Sequence, residues 1–580
     1  MRRNRILILA LGVCAIAAAI AAAGASAHHQ SWQHPTRWHH HPTPPPHRPG
    51  TLTANADNYS TGHQATLAVE GPQGVLANDK GDEPTIVGHT EPLHGSLELE
   101  DDGGFTYTPE AGFAGTDSFE YTIADAVHLY KTDLPSVGNF EGVQLPGGAF
   151  GSSLAPVPGH PNEFFGLEDR GPNVESPLTT PTETIDVLPK PSYDPSIARF
   201  GFEDGEAELV ERIPLRDSTG HPFSGLVNSV APTGEQIETL KGTRLAKDPD
   251  GYDPEGLVAL PDGSFWVSDE YGPFVTHFTA QGREISRLSP YPQHPGEKPS
   301  LPAELRYRVP NRGMEGLTIT PDGSTLVGMM QSGLQQKDLP AGADGKKNTP
   351  TRIVTYNLYT HRTHEYLFML DEPGPLKTAN SEITALSNNT FLIDERDSGF
   401  PSATGYKKLW EVNLEGATDV GPEARVTGAT YNGEAGGLLI GGKTIEATVW
   451  GQKTAEAKAT LEADHIKPVS SSLYLDIDAL LTQLNPTDAF FDHDKVEGVS
   501  ALEGGKRIVI SNDNDFGIEG AEAAPEGSPN KWKLIPKIQP STGLQDDGEY
   551  LEINMSSLNA GSSSAPTSTA TVTLNVNEGH

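Results

Sequence analysis

The chain has 580 residues, and its 41 Lys and Arg against 78 Asp and Glu give a formal net charge of −37. So large an acidic excess disfavours nucleic acid and anionic membranes as partners, because both are polyanions. It favours divalent cations or cationic surfaces instead. The length allows two to four domains, since one domain commonly holds about 100–200 residues.

The first 27 residues have the pattern of an export signal. Three arginines precede an apolar run from Ile6 to Ala23, and Ala25-Ser26-Ala27 then matches a cleavage site. We therefore expect residues 1–27 to be a cleaved signal peptide, with Sec and twin-arginine export both open, and the protein to be secreted without a stable membrane span. A membrane anchor is the alternative. The single cysteine, Cys14, lies in this segment, so a cleaved chain contains no disulfide and no thiol nucleophile.

Residues 28–50 are rich in His and Pro. This composition favours an exposed linker, because no helix fixes the spacing of possible ligands. Chelation of a transition metal by its seven histidines is the alternative.

From residue 51 the pattern changes to short alternating strands with turn residues between them. Phe105 and Tyr107 are two residues apart, as are Phe119 and Tyr121, so each pair faces one side of a strand. Over about 75 residues this pattern resembles the bacterial cadherin-like, immunoglobulin-fold repeats of secreted and surface proteins. The resemblance implies a β-sandwich.

The last strand of such a repeat is not found where the pattern requires it. The chain departs after Asp125, and a strand of the expected type, Thr569–Val576, stands near the C-terminus. We predict a discontinuous sandwich over 51–126 and 562–577, with residues 127–560 inserted at a surface turn, where insertions are tolerated. The alternative is an unrelated strand of the inserted domain.

The inserted region repeats one pattern: an acid, a small residue and an aliphatic residue, then a turn, a buried strand and polar residues. Clear copies are about 60–70 residues apart, or about twice that, which is typical of four-stranded propeller blades. The sequence therefore predicts an all-β protein, with a propeller of about six blades inserted into an immunoglobulin-like sandwich. The copies begin at Glu255-Gly256-Leu257, Glu315-Gly316-Leu317, Glu382-Ile383 and Glu497-Gly498-Val499, with a degenerate copy at Gly151-Ser152-Ser153-Leu154.

Equivalent residues of innermost propeller strands converge on the central channel. Glu255, Glu315, Glu382 and Glu497 are therefore predicted to form a ring at one mouth, where like charges need a cation or partial protonation. Ligands that are all oxygen suit calcium. The alternative is that each acid lies in a solvated turn repeated by duplication.

Several motifs resemble the phytase-like family described as having esterase-like activity, over nearly all of residues 140–520. The resemblance implies an activity that rests on acidic residues. Glu168 departs from the usual pattern of the first blade, and Ser152 or Ser153 replaces its opening acid, which leaves the predicted ring open there. The motifs are Leu167-Glu168-Asp169-Arg170-Gly171-Pro172-Asn173, Pro254-Glu255-Gly256-Leu257, Ser268-Asp269-Glu270-Tyr271-Gly272, Asn311-Arg312-Gly313-Met314-Glu315-Gly316, Asp394-Glu395-Arg396 and Lys495-Val496-Glu497-Gly498.

Together these features predict an enzyme, a calcium-dependent hydrolase of a small phosphorylated substrate that uses metal-activated water. The four ring glutamates would hold the metal, with further acids as second ligands or bases and cationic side chains on the phosphate. The alternative for each arginine is a structural counter-ion. The further acids are Asp269, Asp394 and Asp513, and the cationic residues are Arg170, Arg312, Arg396 and Lys495.

Two other functions stay open. A calcium-dependent lactonase or carboxyl esterase needs one metal and no arginine clamp. A non-catalytic, calcium-stabilised module would instead bind cell wall or matrix through the cadherin-like domain. The sequence contains no G-x-S-x-G or H-E-x-x-H motif, so the corresponding chemistries have no support. Asp492-His493-Asp494 is an exposed loop or an acid–base cluster near Glu497.

Overall fold

The computed structural model describes residues 51–140, 142–179, 184–231, 234–292, 296–371, 373–486 and 490–578. The predicted signal peptide and the His- and Pro-rich linker lie outside these residues. Within the described ranges, no helix is both long enough and apolar enough to cross a membrane.

The chain first builds most of a two-sheet sandwich. Strands β2, β5 and β4 form one sheet, and β1, β6 and β3 belong to the other. The alternating aromatic residues of β5 and β6, namely Phe105, Tyr107, Phe119 and Tyr121, lie together in the core of this sandwich. The strands are β1 (Asp57–Gly62), β2 (Leu67–Val69), β3 (Thr85–His89), β4 (Gly95–Leu99), β5 (Phe105–Pro109) and β6 (Gly115–Ala124).

Two residues separate β6 from the next strands, which continue past the middle of the chain. They are β7 (Val127–Lys131), β8 (Gly138–Phe140), β9 (Val143–Leu145), β10 (Ser153–Pro156), β11 (Glu163–Leu167), β12 (Val174–Glu175), β13 (Ile185–Leu188), β14 (Ser196–Glu203), β15 (Glu206–Pro214), β16 (Gln236–Thr239), β17 (Pro254–Ala259), β18 (Phe265–Asp269), β19 (Val275–Phe278), β20 (Glu284–Leu288), β21 (Met314–Ile319), β22 (Thr325–Met330), β23 (Pro350–Asn357) and β24 (Thr363–Met369).

Short helices join the strands in the second half. The elements are α1 (Pro373–Leu376), β25 (Ala379–Ala385), β26 (Thr390–Arg396), β27 (Lys407–Asn413), β28 (Ala429–Asn432), β29 (Gly437–Ile440), β30 (Lys443–Thr444), α2 (Ile445–Val449), α3 (Thr454–Ala463), β31 (Ser470–Asp476), α4 (Ile477–Leu484), β32 (Val496–Leu502), β33 (Arg507–Asn512), β34 (Ile518–Ala523), β35 (Trp532–Pro536) and β36 (Glu549–Asn554).

These strands form a β-propeller that has five four-stranded blades in the described part of the chain. From the channel outward, the blades are β10-β11-β14-β15, β17-β18-β19-β20, β21-β22-β23-β24, β25-β26-β27-β31 and β32-β33-β36-β7. Each innermost strand lies against the next, and β32 returns to β10, so the ring is closed. The fifth blade takes its outer strand, β7, from the start of the inserted region, where β7 runs antiparallel to β36.

The predicted all-β class, a propeller with an immunoglobulin-like sandwich, is confirmed, but the number of blades predicted from length was too high. Excursions add length without adding a blade. The small sheet β12-β13-β16 takes β12 and β13 from between β11 and β14 of the first blade and β16 from between the first two blades, and the hairpin β34-β35 lies between β33 and β36 of the fifth blade. A longer excursion between β27 and β31 contains the sheet β28-β29-β30 and helices α2 and α3.

The chain returns to the sandwich with its last strand, β37 (Thr567–Asn577). This strand pairs antiparallel with β6 from Thr567 opposite Ala124 to Val576 opposite Gly115, and parallel with β1 on its other side. The sandwich therefore receives strands from both ends of the described chain, and the propeller lies between them in sequence. The domain boundaries given above stay predictions.

Candidate metal centre at the channel mouth

The innermost strands owe the direction of their acidic side chains to β-bulges. In the third blade Met314 pairs with Met330 and Gly316 with Met329, so Glu315 between them has no residue opposite. The ladder shifts at the same place in the second blade, between Pro254 and Leu257. A bulge turns the extra residue out of the ladder, and here it directs the carboxylate into the mouth of the channel.

Glycine follows the acid because neighbouring innermost strands are very close at this point. A Cβ on Gly316 would lie 2.5 Å from the backbone nitrogen of Ile383, and one on Gly256 would lie 2.5 Å from that of Leu317. Real Cβ atoms do not approach backbone so closely. The Glu-Gly pair thus places a charge at the mouth and lets the next blade pack against it.

The acidic side chains enclose a polar cavity of about 310 Å³. Among the described residues, nine carboxylates line it against four cationic side chains, namely Arg170, Arg312, Arg396 and Lys495. Negative charge therefore dominates a partly enclosed space, where water screens it less than at an open surface.

Two groups of buried carboxylates have oxygen spacings that suit a cation, and every member except Asp253 lines this cavity. Glu255, Glu315 and Glu497 form one group, and Asp253, Glu255 and Glu270 form the other. In each group one oxygen per residue lies within 4.8 Å of the others. Calcium binds oxygen at about 2.3–2.6 Å, so ligands on opposite sides of one ion are about 5 Å apart. Both groups fit calcium by donor type and by spacing.

The ring carboxylates differ in how well the protein satisfies them. Glu497 pairs with Arg396, and one oxygen of Glu315 accepts a hydrogen bond from the Gln331 amide. The other oxygen of Glu315 is buried without a hydrogen-bond partner among the described residues. Glu255 is only 7% exposed, and within the described ranges its carboxylate neither accepts a hydrogen bond nor forms an ion pair.

Burial raises the pKa of Glu255 and of Glu315 well above the ordinary value, and neighbouring carboxylates add to the rise. The pKa of Glu497 rises to about 7, because burial outweighs the opposing charges of Arg396 and Lys495. Without a cation, the cavity therefore favours protonated carboxyl groups. A bound divalent cation would reverse that preference.

Three of the four cations in the cavity are already paired with acids. Arg170 lies 2.9 Å from Asp253, Arg396 pairs with Glu497, and Lys495 lies 3.0 Å from Asp513 and 2.6 Å from Asp515. Arg312 donates to the backbone oxygen of Asn311 at 2.6 Å. In the described chain it makes no ion pair, so its guanidinium is the one available to an anion.

A family model described as "Phytase-like: Esterase-like activity of phytase" matches residues 146–516, which is more than half of the chain. The chain belongs to the phytase-like family. A second model, described as a bacterial Ig domain, matches residues 46–133. The resemblances found in the sequence are thereby confirmed at the level of both families.

A curated relative of this phytase-like chain is an "Uncharacterized secreted protein" from Arthroderma benhamiae, 28% identical over 288 residues. The match covers 42% of this chain and 56% of the relative, so the chain spans little more than half of that protein.

Solved structures show only distant likeness. A protein of unknown function from Bacteroides thetaiotaomicron has a TM-score of 0.25 and 9% identity, covering 88% of this chain and all of that one. A virginiamycin B lyase from Staphylococcus aureus has a TM-score of 0.23 and 10% identity, covering 74% of this chain and 99% of that one.

The phytase-like propeller brings Glu255, Glu315 and Glu497 together but places Glu382 elsewhere. In the fourth blade the bulged residue is Ser381, so Glu382 occupies the position that Gly316 has in the third blade. Glu382 accepts hydrogen bonds from the Ser153 hydroxyl and, at 3.1 Å, from the backbone nitrogen of Leu317. It bridges blades inside the channel and does not line the cavity.

The three aspartates predicted as further ligands or bases occupy three different register positions. Asp513 directly follows β33, lines the cavity and binds Lys495. Asp269 instead accepts the backbone N–H groups of Asp253 and Gly272. Asp394 is buried opposite Glu382, and neither of its oxygens has a hydrogen-bond partner in the described chain. Of the three, only Asp513 lines the cavity.

The sequence analysis missed two carboxylates of the centre, Asp253 and Glu270. Glu270 follows Asp269 in a motif that was recognised, but only the strand register shows which of the two faces the channel. Asp253 stands two residues before the ring glutamate of its blade, the position that Lys495 has before Glu497. Aligning the copies on their glutamates shows charge at this position in two of the four copies, with Gly313 and Asn380 in the other two.

A row of alternating charges leads from the cavity into the fifth blade. Lys537 binds Asp515 and lies 3.0 Å from Asp494 and 4.0 Å from Asp546. Asp546 in turn binds His493 at 2.7 Å. His493 is thus part of a buried network rather than of an exposed loop.

Proposed function

We propose that this protein is a secreted, calcium-dependent hydrolase of phosphoric esters, with water as the attacking group. Secretion is supported by the signal pattern of residues 1–27 and by the secreted relative. Family membership supports a hydrolase-like activity. The observation that carries the proposal is the cavity, which combines buried carboxylates without counter-ions and an arginine, Arg312, without an acidic partner.

Each side of the cavity has a distinct task in this proposal. Glu255, Glu315 and Glu497 would hold calcium, which when bound neutralises phosphoryl oxygens and lowers the pKa of water. Arg312 would contact two phosphoryl oxygens at once, as a planar guanidinium can. Arg170, Arg396 and Lys495 are held by acids, so we assign them the role of orienting those acids.

The test is hydrolysis of an aryl phosphomonoester, an aryl phosphodiester and a simple lactone by the purified protein, with calcium or with chelator. We expect phosphate release that needs calcium and is lost in Glu315→Gln. The matched control is Glu208→Gln, which removes an exposed carboxylate on the outer strand β15. Calcium-dependent activity that survives in Glu315→Gln would contradict the proposed site.

The same assay separates the alternatives. A lactonase or carboxyl esterase would turn over the lactone alone and keep that activity in Arg312→Ala. A binding module would gain thermal stability from calcium and hydrolyse none of the three substrates. The cadherin-like subtype of the sandwich and a cell-wall or matrix partner stay predictions.

A further inference from the structure

We propose that the cavity holds two divalent cations side by side and that Glu255 is the ligand they share. This inference rests on the proposed function, and it adds a second position formed by Asp253, Glu255 and Glu270 beside the ring. The second position is called the lateral site below, and the position formed by Glu255, Glu315 and Glu497 is called the ring site.

The first argument is that Glu255 is buried without a partner in the described chain and belongs to both groups of acids. Its carboxylate belongs to both groups of closely spaced oxygens. It lies inside the cavity with 7% exposure, yet it has no hydrogen bond or ion pair among the described residues. A buried carboxylate without a partner is costly. Membership of both groups fits a carboxylate that bridges two ions.

The second argument is that a cation in the ring site leaves Glu270 uncompensated. The only hydrogen bond that the described chain gives the Glu270 carboxylate comes from the backbone nitrogen of Gly313, at 3.3 Å. Asp253 already has Arg170 as its counter-ion at 2.9 Å. Within the described ranges the lateral site therefore lacks a counter-charge for Glu270, just as the ring site lacks one for Glu315.

The third argument is charge. When all five carboxylates of the two groups are ionised, the paired Arg170 and Arg396 leave three net negative charges. One divalent cation leaves one negative charge, which repels an anionic ester. Two cations leave one positive charge, which attracts it. Pairs of metals that share ligands are common in phosphoryl-transfer enzymes because they stabilise both the attacking and the leaving oxygen.

The experiment counts Ca²⁺ bound per chain by equilibrium dialysis of the full protein at about 0.15 M salt, which weakens binding to exposed acids. Each count is compared with that of the wild type, so calcium bound elsewhere cancels. We expect Glu270→Gln to lose one ion, Glu497→Gln to lose one and Glu255→Gln to lose two. Glu208→Gln, the control, should lose none.

The outcomes separate this proposal from the proposed function. If Glu497→Gln loses one ion and Glu270→Gln none, the lateral site is refuted and the ring site stands. If Glu255→Gln loses only one ion, the shared ligand is refuted. If no variant loses an ion, both sites are refuted. Near-ultraviolet circular dichroism checks folding, and Asp253→Asn replaces Glu270→Gln should that variant not fold.

Discussion

His493→Gln tests the network of buried charges behind the cavity. His493 is fully buried, with Nδ1 2.7 Å from Asp546 and Nε2 3.0 Å from Glu549. Burial alone would lower the pKa of His493, but the two carboxylates outweigh it and raise the pKa to about 10. The folded protein therefore keeps a proton here that the unfolded chain, with the ordinary value of 6.5, releases near neutral pH.

The sign of the pH effect follows from that difference. Because the folded-state pKa is the higher one, the stabilisation is fully present below about pH 6.5 and is lost as the pH rises through about 10. Between these limits the free energy of unfolding should fall by about 1.4 kcal/mol per pH unit from this group, with a ceiling of about 5 kcal/mol. Glutamine cannot carry the proton, so His493→Gln should lack this slope.

The assay is urea unfolding followed by tryptophan fluorescence at pH 7, 8 and 9, with chelator present throughout. At pH 7 the variant should be less stable by several kcal/mol, because loss of the imidazolium leaves Glu549 without its ion-pair partner and Asp546 with only Lys537, 4.0 Å away. The difference from wild type should shrink by about 2–3 kcal/mol by pH 9. His221→Gln, at an exposed histidine, is the control and should follow the wild type. Parallel pH profiles for wild type and His493→Gln would refute the reasoning.

Three further predictions follow from the channel. Gly316→Ala should lower the free energy of unfolding by about 1–3 kcal/mol in urea titrations, because the added Cβ overlaps the backbone of the next blade. Gly201→Ala is the control and should change that free energy little, because the nearest atom to its added Cβ is 3.8 Å away. Arg312→Ala should raise KM for a phosphoric ester at least tenfold and leave the melting temperature unchanged; an unchanged KM would remove Arg312 from the site. Ser153→Ala removes the hydroxyl that donates to Glu382 and should lower the free energy of unfolding by about 1–3 kcal/mol. The loss should be equal with calcium and with chelator, because Glu382 lies outside the cavity. A loss seen only with calcium would contradict that placement.

The repeat in the sequence predicted the propeller because each copy has the same order of acid, small residue and buried strand. Blade number was harder to predict, since length per copy does not distinguish a blade from an excursion. The segment from Asn413 to Ser470 is almost as long as a blade, yet it forms a small sheet and helices between two strands of the fourth blade. Only strand pairing shows that β31 follows β27 in the same sheet.

Prediction of the site failed where one residue of register decided the direction of a side chain. Glu382 looks equivalent to Glu315 in sequence, because each precedes an aliphatic residue within two positions. The bulge in the fourth blade takes Ser381 instead, which turns Glu382 into the channel. Bulges depend on the contact with the neighbouring blade, so sequence patterns with a period of two cannot locate them.

The bulge itself does not require an acid. Two of the five equivalent positions carry serine, Ser152 and Ser381, and both are buried in closed blades of the same ring. The other three carry glutamate, and burial of each raises its pKa, a sign that the ionised form is disfavoured there. Since serine satisfies the fold at this position without that cost, the proposed cation would explain the three glutamates. Their cost to folding would be recovered if a cation occupied the cavity, because a ligand that binds only the folded state stabilises it.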